Sequence, residues 1–425
     1  MSSKFRFFVS AVVAVCVCEA FAASAPAPSP LVEEDLRTGL KALKANQLSD
    51  AERIFSTVRA TDPMELRAKL GLAEVAYRSG KFDEAERLIK EVVADNPKQA
   101  GVHVSLARFY YSQHRFKDCE TELLAAQKLD DAAYIDVDLG TLYAEALDKP
   151  IDAIDYFYRA LGKNPKHPGA HFALGQLFFN QKQWDQARIE FGKATKLEPN
   201  NLLPWLGLAR AESMMQRTAE AQAAYKQAAL LAPKVAMLSV ELGDLLNALG
   251  NEKEALKEYQ SALKKDPAYL DAWVKLGMFH HVRGRPADAD EAYAKALTLD
   301  RESALVLNNR AALALDGHGK LPEAIGWSRQ AVALSPKSAY YLDTLGALLE
   351  KAGKLDEALR VLESARQADP QYRGARYHLA TVLQKLGRSA EAEKIARDTL
   401  ADDRPFPERA AFEKLLSGEK TPATK

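Results

Sequence analysis

Cysteine is scarce in this chain of 425 residues, and its distribution excludes a disulfide framework. Two of the three cysteines, Cys16 and Cys18, lie in the apolar N-terminal stretch. Cys119 stands alone in the rest of the chain, and a single cysteine cannot form an internal disulfide. Alanine holds the equivalent place elsewhere in the chain, so we expect a buried and unreactive thiol at Cys119.

Net charge and long apolar runs are also lacking. The 58 Lys and Arg residues balance the 58 Asp and Glu residues, so the net charge gives no indication of nucleic acid or an anionic membrane as a partner. The apolar stretch at residues 7–18 is too short to cross a bilayer as a helix. We therefore expect no nucleic-acid partner and no transmembrane span in the mature chain.

The N-terminus has the pattern of a targeting segment. Lys4 and Arg6 precede the apolar residues 7–18, and the small-x-small sequence at residues 20–22 is typical of a cleavage site. We predict a signal peptide at residues 1–22, followed by a Pro/Ala linker at residues 23–31. The mature protein is then exported, either to the periplasm of a bacterial cell envelope or out of the cell.

Lipid attachment is an alternative for the N-terminus, because Cys16 and Cys18 lie at the end of the apolar stretch. Val15 and Val17 precede these cysteines, whereas lipoprotein processing generally favours Gly, Ala or Ser there. We therefore favour cleavage after residue 22 over lipoprotein anchoring.

What the chain does contain is an internal repeat with a constant step of about 34 residues. Prolines separated by this step, or by about twice its length, are Pro63, Pro97, Pro165, Pro199, Pro233, Pro267, Pro336 and Pro370. Alanines in the same phase are Ala51, Ala85, Ala153, Ala187, Ala221, Ala255, Ala289, Ala324, Ala358 and Ala392, and Cys119 fills the one gap. A constant phase over this length indicates eleven units between residues 32 and 406.

Residues 236–269 illustrate one unit, which is predicted to be a pair of short helices. Leu242 and Leu246 recur at helical spacing and mark an apolar face. Gly250 can adopt the left-handed conformation that ends a helix. A second apolar pattern then runs up to Pro267, which cannot continue a helix.

A helix–turn–helix unit that recurs every ~34 residues resembles the tetratricopeptide repeat family. The residues that carry the resemblance are Leu242-Gly243, Ala255, Tyr259, Ala262 and Pro267, together with Trp273, Leu276-Gly277, Ala289, Tyr293 and Ala296. The resemblance implies an all-α, right-handed superhelical solenoid. We further expect a C-terminal capping helix at residues 407–417 and a disordered tail at residues 418–425.

Close packing within each unit is expected to depend on small residues. Gly243 is expected to face Ala255, and Gly277 to face Ala289, so that the two helix backbones approach closely.

No catalytic constellation emerges from the sequence. Residues 317–320 lack the spacing of a phosphate-binding loop and have no preceding strand. His167 and His171 are four residues apart, but no carboxylate is placed to complete a metal site, and the adjacent His280 and His281 point in different directions on a helix. We expect no enzyme activity, no cofactor and no metal ion.

The remaining candidate is a surface. The resemblance implies that a stripe on each first helix lines the concave side of the solenoid and binds peptide segments. Aromatic, arginine and amide side chains on this stripe are Arg67, Tyr77, Arg78, Arg108, Tyr111, Phe172, Gln176, Phe179, Asn180 and Arg210. Aromatic and arginine residues dominate binding hot spots, which favours a partner-binding groove over a merely solvated wall.

The same stripe becomes acidic in later repeats, where a solvated wall is the simpler interpretation. The residues concerned are Asp244, Asn247, Asp271, Asp316, Asp343 and Glu350, with Lys351 and Lys385 as exceptions.

The sequence therefore predicts a non-enzymatic scaffold of the cell envelope that binds other proteins, as extended segments or as envelope complexes. An accessory protein of polysaccharide biosynthesis or export, contacting sugar chains or a synthase complex, is the alternative hypothesis. That alternative depends on analogy with envelope proteins of this fold.

Overall fold

The computed structural model describes residues 29–401, 406 and 408–417. Within these residues the regular structure is entirely α-helical, with 23 helices and no strand. The chain divides into two compact units, Met1–Ala224 and Tyr225–Lys425.

The helices of the first unit follow one another in pairs, with odd numbers for the first helix of each pair. They are α1 (Pro30–Lys44), α2 (Leu48–Thr61), α3 (Leu66–Arg78), α4 (Phe82–Asp95), α5 (Ala100–Ser112), α6 (Phe116–Leu129), α7 (Ala133–Glu145), α8 (Pro150–Lys163), α9 (Pro168–Asn180), α10 (Trp184–Leu197) and α11 (Leu202–Met214). The next helix, α12 (Thr218–Leu231), contains the division between the units.

The second unit continues the same alternation of first and second helices. They are α13 (Ala236–Ala248), α14 (Glu252–Lys265), α15 (Leu270–Val282), α16 (Pro286–Leu299), α17 (Ala304–Ala312), α18 (Leu321–Leu334), α19 (Ala339–Lys351), α20 (Leu355–Ala368), α21 (Arg373–Lys385), α22 (Ser389–Leu400) and α23 (Arg409–Ser417). In both units a helix packs against its partner and against the helix that follows. The all-α fold class of consecutive helix pairs is confirmed.

Helix pairs are separated by short turns that need one left-handed residue. Gly250 has a φ of 75°, and the amide of Asn251 donates to the carbonyl of Leu246 at 2.9 Å, which satisfies an end carbonyl of α13. In the first unit His114 and Lys182 occupy the same conformation at φ of 58° and 62°. A side chain there is strained, so glycine is favoured but not required.

Two buried rings, Phe55 and Phe191, each lie between two glycines. In the first unit Phe191 is 2% exposed, and a Cβ built on Gly175 would lie 2.7 Å from its ring. A Cβ on Gly207 of the following first helix would lie 2.6 Å from the same ring. The ring therefore joins one pair to the next, and both glycines are required by its close approach.

The prediction that Gly243 faces Ala255 and that Gly277 faces Ala289 is wrong. A Cβ on Gly243 would meet the ring of Tyr259 at 2.8 Å, and one on Gly277 would meet the ring of Tyr293 at 2.4 Å. These rings, and not Ala255 or Ala289, are the nearest neighbours of the two glycines. The missing side chain makes room for an aromatic ring, whereas the alanines are buried elsewhere in the same pairs.

The fourth residue of five first helices binds the turn that precedes the helix. The indole nitrogens of Trp205 and Trp273 each donate to a proline carbonyl six residues earlier, at 2.9 Å. His103, His171 and Arg376 reach the equivalent carbonyls at 3.0, 3.1 and 2.7 Å. Polar side chains of different chemistry thus perform one structural task along the chain.

Two pairs depart from the regular pattern, as the sequence indicates. The turn between α7 and α8 has four residues in place of the usual three, and Pro150 occupies the first turn of α8. Helix α17 has only nine residues, and an eight-residue connection that includes Gly317 and Gly319 follows it.

The last helix, α23, covers α21 and α22 in the second unit. Phe412 is fully buried and its ring centroid lies 5.7 Å from that of Tyr377. The predicted signal peptide, residues 23–28 of the predicted linker and the predicted tail at 418–425 lie outside the described residues. Helix α1 begins at Pro30, within the predicted linker. In the described part of the chain no helix is both long and apolar enough to cross a membrane.

Candidate functional site

The ten predicted groove residues all lie on first helices of the first unit, namely α3, α5, α9 and α11. Several of them contact a residue about one repeat away on the neighbouring first helix. We call such a contact between consecutive odd-numbered helices a rung.

The arginines of α3 are held by α1. Arg67 Nη1 donates to Glu33 at 2.9 Å, and its Nε donates to Glu65 at 3.0 Å. Hydrogen bonding by Arg67 holds the pKa of Glu33 below its usual value. Arg78 donates to the carbonyl of Leu43 at 2.8 Å. Both guanidinium groups are about one-fifth exposed, so they link two repeats and do not project freely into solvent.

Arg78 also neutralises a carboxylate within its own helix. Its Nε donates to Glu74 Oε1 at 2.6 Å, and only 12% of the Glu74 side chain is exposed. Burial raises the pKa of Glu74, and the hydrogen bond from Arg78 opposes this rise. The arginine thus offsets a desolvated charge, which is a structural role.

The residues of α5 form rungs with α7. Arg108 binds Asp138 through Nε at 3.0 Å and Nη2 at 2.9 Å. The Tyr111 hydroxyl donates to Glu145 at 2.8 Å. On the other side, Tyr77 of α3 contacts the ring of Phe109 edge-on, with centroids 6.2 Å apart.

The face of α9 is different, because it carries no charged residue among the predicted groove positions. Phe172, Gln176, Phe179 and Asn180 are spaced to lie on one side of this helix. Phe172 packs near Phe191 at a centroid distance of 5.8 Å, and Phe179 packs on Trp184 at 4.9 Å.

The two amides on this face have no partner. Asn180 is exposed and Gln176 is partly buried, and across the described residues neither side chain has a hydrogen-bond partner. We call Phe172, Gln176, Phe179 and Asn180 the amide–aromatic patch. Within the described residues, the two amides of this patch are free to bind a partner.

Helix α11 packs beside α9 and extends this surface. Arg210 follows Gln176 by one repeat, at the equivalent position of the next first helix, and is partly buried. Met214 follows Asn180 by one repeat, and 52% of it is exposed. Met214 is not among the predicted groove residues, which were limited to aromatic, arginine and amide side chains.

In the second unit most residues of the predicted stripe bind a basic side chain about one repeat away, in a rung or, for Arg283 and Asp316, from the turn after a first helix. Asp244 binds Lys275 at 2.7 Å, Asn247 binds Arg283 at 2.8 Å, Asp316 binds His281 at 2.8 Å, Asp343 binds His378 at 2.6 Å and Glu350 binds Lys385 at 2.9 Å. Lys351 donates to the carbonyls of Ala314 and Leu315. Neighbouring repeats therefore neutralise this face. The opposite charges of each rung are about one repeat apart, a signal that the sequence contains.

Two exposed apolar residues on α15 were also missed. Met278 is 41% exposed and Val282 is 84% exposed. They are four residues apart and share one side of α15, between the rungs of Lys275 and His281.

The cysteine and the histidines considered for catalysis or metal binding are buried or hydrogen-bonded. Burial raises the pKa of the Cys119 thiol to about 12, so that the thiolate is scarce at neutral pH. His167 accepts the amide of Ala170 at 3.2 Å, and His171 lies 2.6 Å from Glu190. No group of three or more His, Cys, Asp or Glu side chains within the described ranges is arranged to hold a metal ion.

Sequence models described as "Tetratricopeptide repeat" match most of the chain. The matched residues are 42–103, 76–137 and 349–416 for one model, 168–201 for a second, and 206–269, 253–304 and 282–339 for a third. Together they cover more than half of the chain.

Several curated proteins are similar to parts of the chain. The human "Protein O-mannosyl-transferase TMTC3" is 26% identical over 266 residues, which are 58% of this chain and 29% of that protein. The human "Tetratricopeptide repeat protein 7B" is 38% identical over 84 residues, 20% of this chain and 10% of that protein. The chain thus spans less than a third of the length of these relatives.

Two solved structures align with most of the chain. A chain of the "APC/C hetero-tetramer Cut9-Hcn1" is 14% identical with a TM-score of 0.47, covering 92% of this chain and 96% of that one. "Yeast Tom70" is 15% identical with a TM-score of 0.46, covering 91% of this chain and 95% of that one.

Proposed function

Because the chain belongs to the tetratricopeptide repeat family, we propose that it is a non-enzymatic scaffold that binds an extended segment of a partner protein. The amide–aromatic patch on α9, continued by Arg210 and Met214 on α11, is the proposed binding surface. The observation that carries this proposal is the pair of unpartnered amides, Gln176 and Asn180, among the described residues.

Amide side chains at this spacing suit an extended backbone. Gln176 and Asn180 are one helical turn apart, which is a rise of about 6 Å. An extended chain repeats its outward-facing backbone groups every two residues, or about 6.7 Å. Each amide offers both a donor and an acceptor, so each can bind one N–H and one C=O of the same segment.

The two rings of the patch supply the apolar contacts. Phe172 and Phe179 are fixed against Phe191 and Trp184, so that little side-chain entropy is lost when a partner packs on them. Well-packed surroundings are typical of binding hot spots, and both rings of the patch have them.

Export to the cell envelope belongs to the same proposal. It is supported by the basic and apolar N-terminal pattern around Lys4 and Arg6, which lies outside the described residues. Absence of catalysis is likewise proposed, supported by the buried thiol of Cys119 and by the contacts of His167 and His171.

The proposal is tested by capture of partners with the tagged full-length protein, followed by their identification. The variant carries alanine at Phe172, Gln176, Phe179 and Asn180, and we expect its affinity for the identified partner to fall about 100-fold. The matched control carries alanine at Arg67 and Arg108, whose side chains form rungs. Equal loss in both variants, or no loss in the first, would contradict the assignment.

A further inference from the structure

Tyr158 breaks the pattern of the second-helix surface. It is the ninth residue of α8, and it is 51% exposed. The ninth residues of the other second helices are Ser56, Lys90, Leu124, Gly192, Lys226, Gln260, Ala294, Arg329, Glu363 and Arg397. An exposed aromatic ring thus occurs at this place only once among eleven second helices of the described chain, and repeat packing does not explain it.

An open cleft of about 490 Å³ lies beside this ring, between α8 and α10 of the first unit. Tyr158, Leu161 and Pro165 line one side of it. Lys193, Lys196 and Leu197 of α10 line the other. The cleft therefore combines an apolar lining with ammonium groups.

The cleft is rigid at its base. His171, which is 5% exposed, contacts Glu190 Oε2 at 2.6 Å and the Pro165 carbonyl at 3.1 Å. Lys193 donates to the other oxygen of Glu190 at 2.8 Å. These contacts join α9, α10 and the turn after α8, so the cleft is pre-formed and costs little ordering when it is filled.

One positive charge on this surface is uncompensated. Glu190 neutralises Lys193, whereas Lys196 is exposed, and among the described residues it has no hydrogen bond or ion pair. A carboxylate placed next to an apolar group in the cleft would meet Lys196 while the apolar group covers Tyr158.

We propose that this cleft is a second docking site, which takes a partner-protein segment carrying an aromatic side chain beside acidic residues. The aromatic side chain packs on Tyr158, Leu161 and Leu197, and a neighbouring carboxylate pairs with Lys196. The site is built mainly from the second helices α8 and α10 and differs in chemistry from the amide–aromatic patch on α9.

The probe is a fluorescein-labelled peptide in which one phenylalanine is flanked on each side by a glutamate and an aspartate. Its binding to the full-length protein is followed by fluorescence anisotropy. Two comparison peptides replace the phenylalanine by alanine, or the four acidic residues by lysine. We expect the acidic phenylalanine peptide to bind at least about tenfold more tightly than either comparison.

Protein variants locate the binding site. Tyr158→Ala and Lys196→Glu are each expected to weaken the acidic phenylalanine peptide about tenfold. Lys128→Glu is the matched control, because Lys128 is the exposed thirteenth residue of α6 as Lys196 is of α10. This control and the alanine variant of the amide–aromatic patch should bind as the wild type does, and circular dichroism verifies the fold of each variant.

Three results from the peptides and the charge variants would overturn the proposal. They are no binding of the acidic phenylalanine peptide at concentrations up to about 1 mM, equal binding of the lysine peptide, and an equal effect of Lys128→Glu and Lys196→Glu. Loss of binding only in the alanine variant of the amide–aromatic patch would show that the peptide binds to α9, which would also contradict the second site.

Discussion

Helices α5 and α9 are first helices two repeats apart, and they use the same face in different ways. On α5, Arg108 and Tyr111 are engaged by Asp138 and Glu145 of α7. On α9, Gln176 and Asn180 are left without a partner among the described residues. The comparison teaches that residue type alone does not identify a binding surface, because arginine and tyrosine can serve the protein's own stacking.

The largest expected effect separates the core of the α9–α10 pair from its surface. Phe191→Ala removes a ring that is 2% exposed, and we expect a loss of about 3–5 kcal/mol in the free energy of unfolding. Phe179→Ala removes a partly exposed ring and should cost less than about 2 kcal/mol. Native-state hydrogen exchange of the α9 and α10 amides measures both, and equal losses would contradict the division into core and binding face.

Two glycines of the same pair should respond with opposite sign. Gly175→Ala places a methyl group 2.7 Å from the Phe191 ring and should destabilise by about 1–3 kcal/mol. Gly192→Ala meets no atom within 4 Å and should stabilise α10 by about 0.5–1 kcal/mol. Thermal unfolding compares the two, and a stabilised Gly175→Ala variant would mean that the ring is not fixed between its glycines.

Breaking a rung should destabilise the protein less than Phe191→Ala or Gly175→Ala does. Asp138→Ala removes the partner of Arg108 in a pair whose side chains are about one-fifth exposed, so we expect a loss of about 0.5–1 kcal/mol. The loss should shrink at high salt because screening weakens the pair. Gln176→Ala on α9 is the control and should change stability by less than about 0.5 kcal/mol. A larger loss for Gln176→Ala would mean that its amide has a structural role.

The smallest effect concerns a rung that can titrate. Burial alone would lower the pKa of His378, but the hydrogen bond and charge of Asp343 raise it above its ordinary value. The raised pKa means that this rung stabilises fully below about pH 6.5 and is lost as pH rises through the folded-state pKa. We expect a change of less than about 1 kcal/mol.

The free energy of unfolding of the wild type and of His378→Gln, measured below about pH 6.5 and above the folded-state pKa of His378, checks the titration. The difference between the two proteins should be largest at the acidic end. The Arg108–Asp138 rung provides an internal reference, since arginine keeps its charge over the whole range. An unchanged difference across the range would exclude a titrating rung.

Much of the fold could be predicted from sequence because period and phase are local signals. The turn at Gly250 and the proline stops required only short-range steric arguments. The partner of Gly243 was predicted wrongly, because the ring of Tyr259 reaches it across the pair, a distance that spacing alone does not give. The repeat count and helix pairing therefore came from the sequence, whereas the packing partners came from the structure.

The residues of the candidate surface could be named from the sequence, but their contacts could not. Arg67 and Gln176 appeared equivalent in the sequence, and only the contact from Arg67 to Glu33 distinguishes them. Rungs join residues about one repeat apart, so reading charges across repeats would have found most of them. Exposed residues such as Met214 and Val282 could not be recognised, because their apolar character suggests burial.

Site-specific photo-crosslinking tests the central claim most directly. Benzoylphenylalanine is introduced at residue 176 on α9 in one protein and at residue 108 on α5 in another, and each is irradiated in the presence of the identified partner. We predict crosslinks from position 176 to an extended segment of the partner and none above background from position 108. Crosslinks from position 108 without any from position 176 would contradict the account.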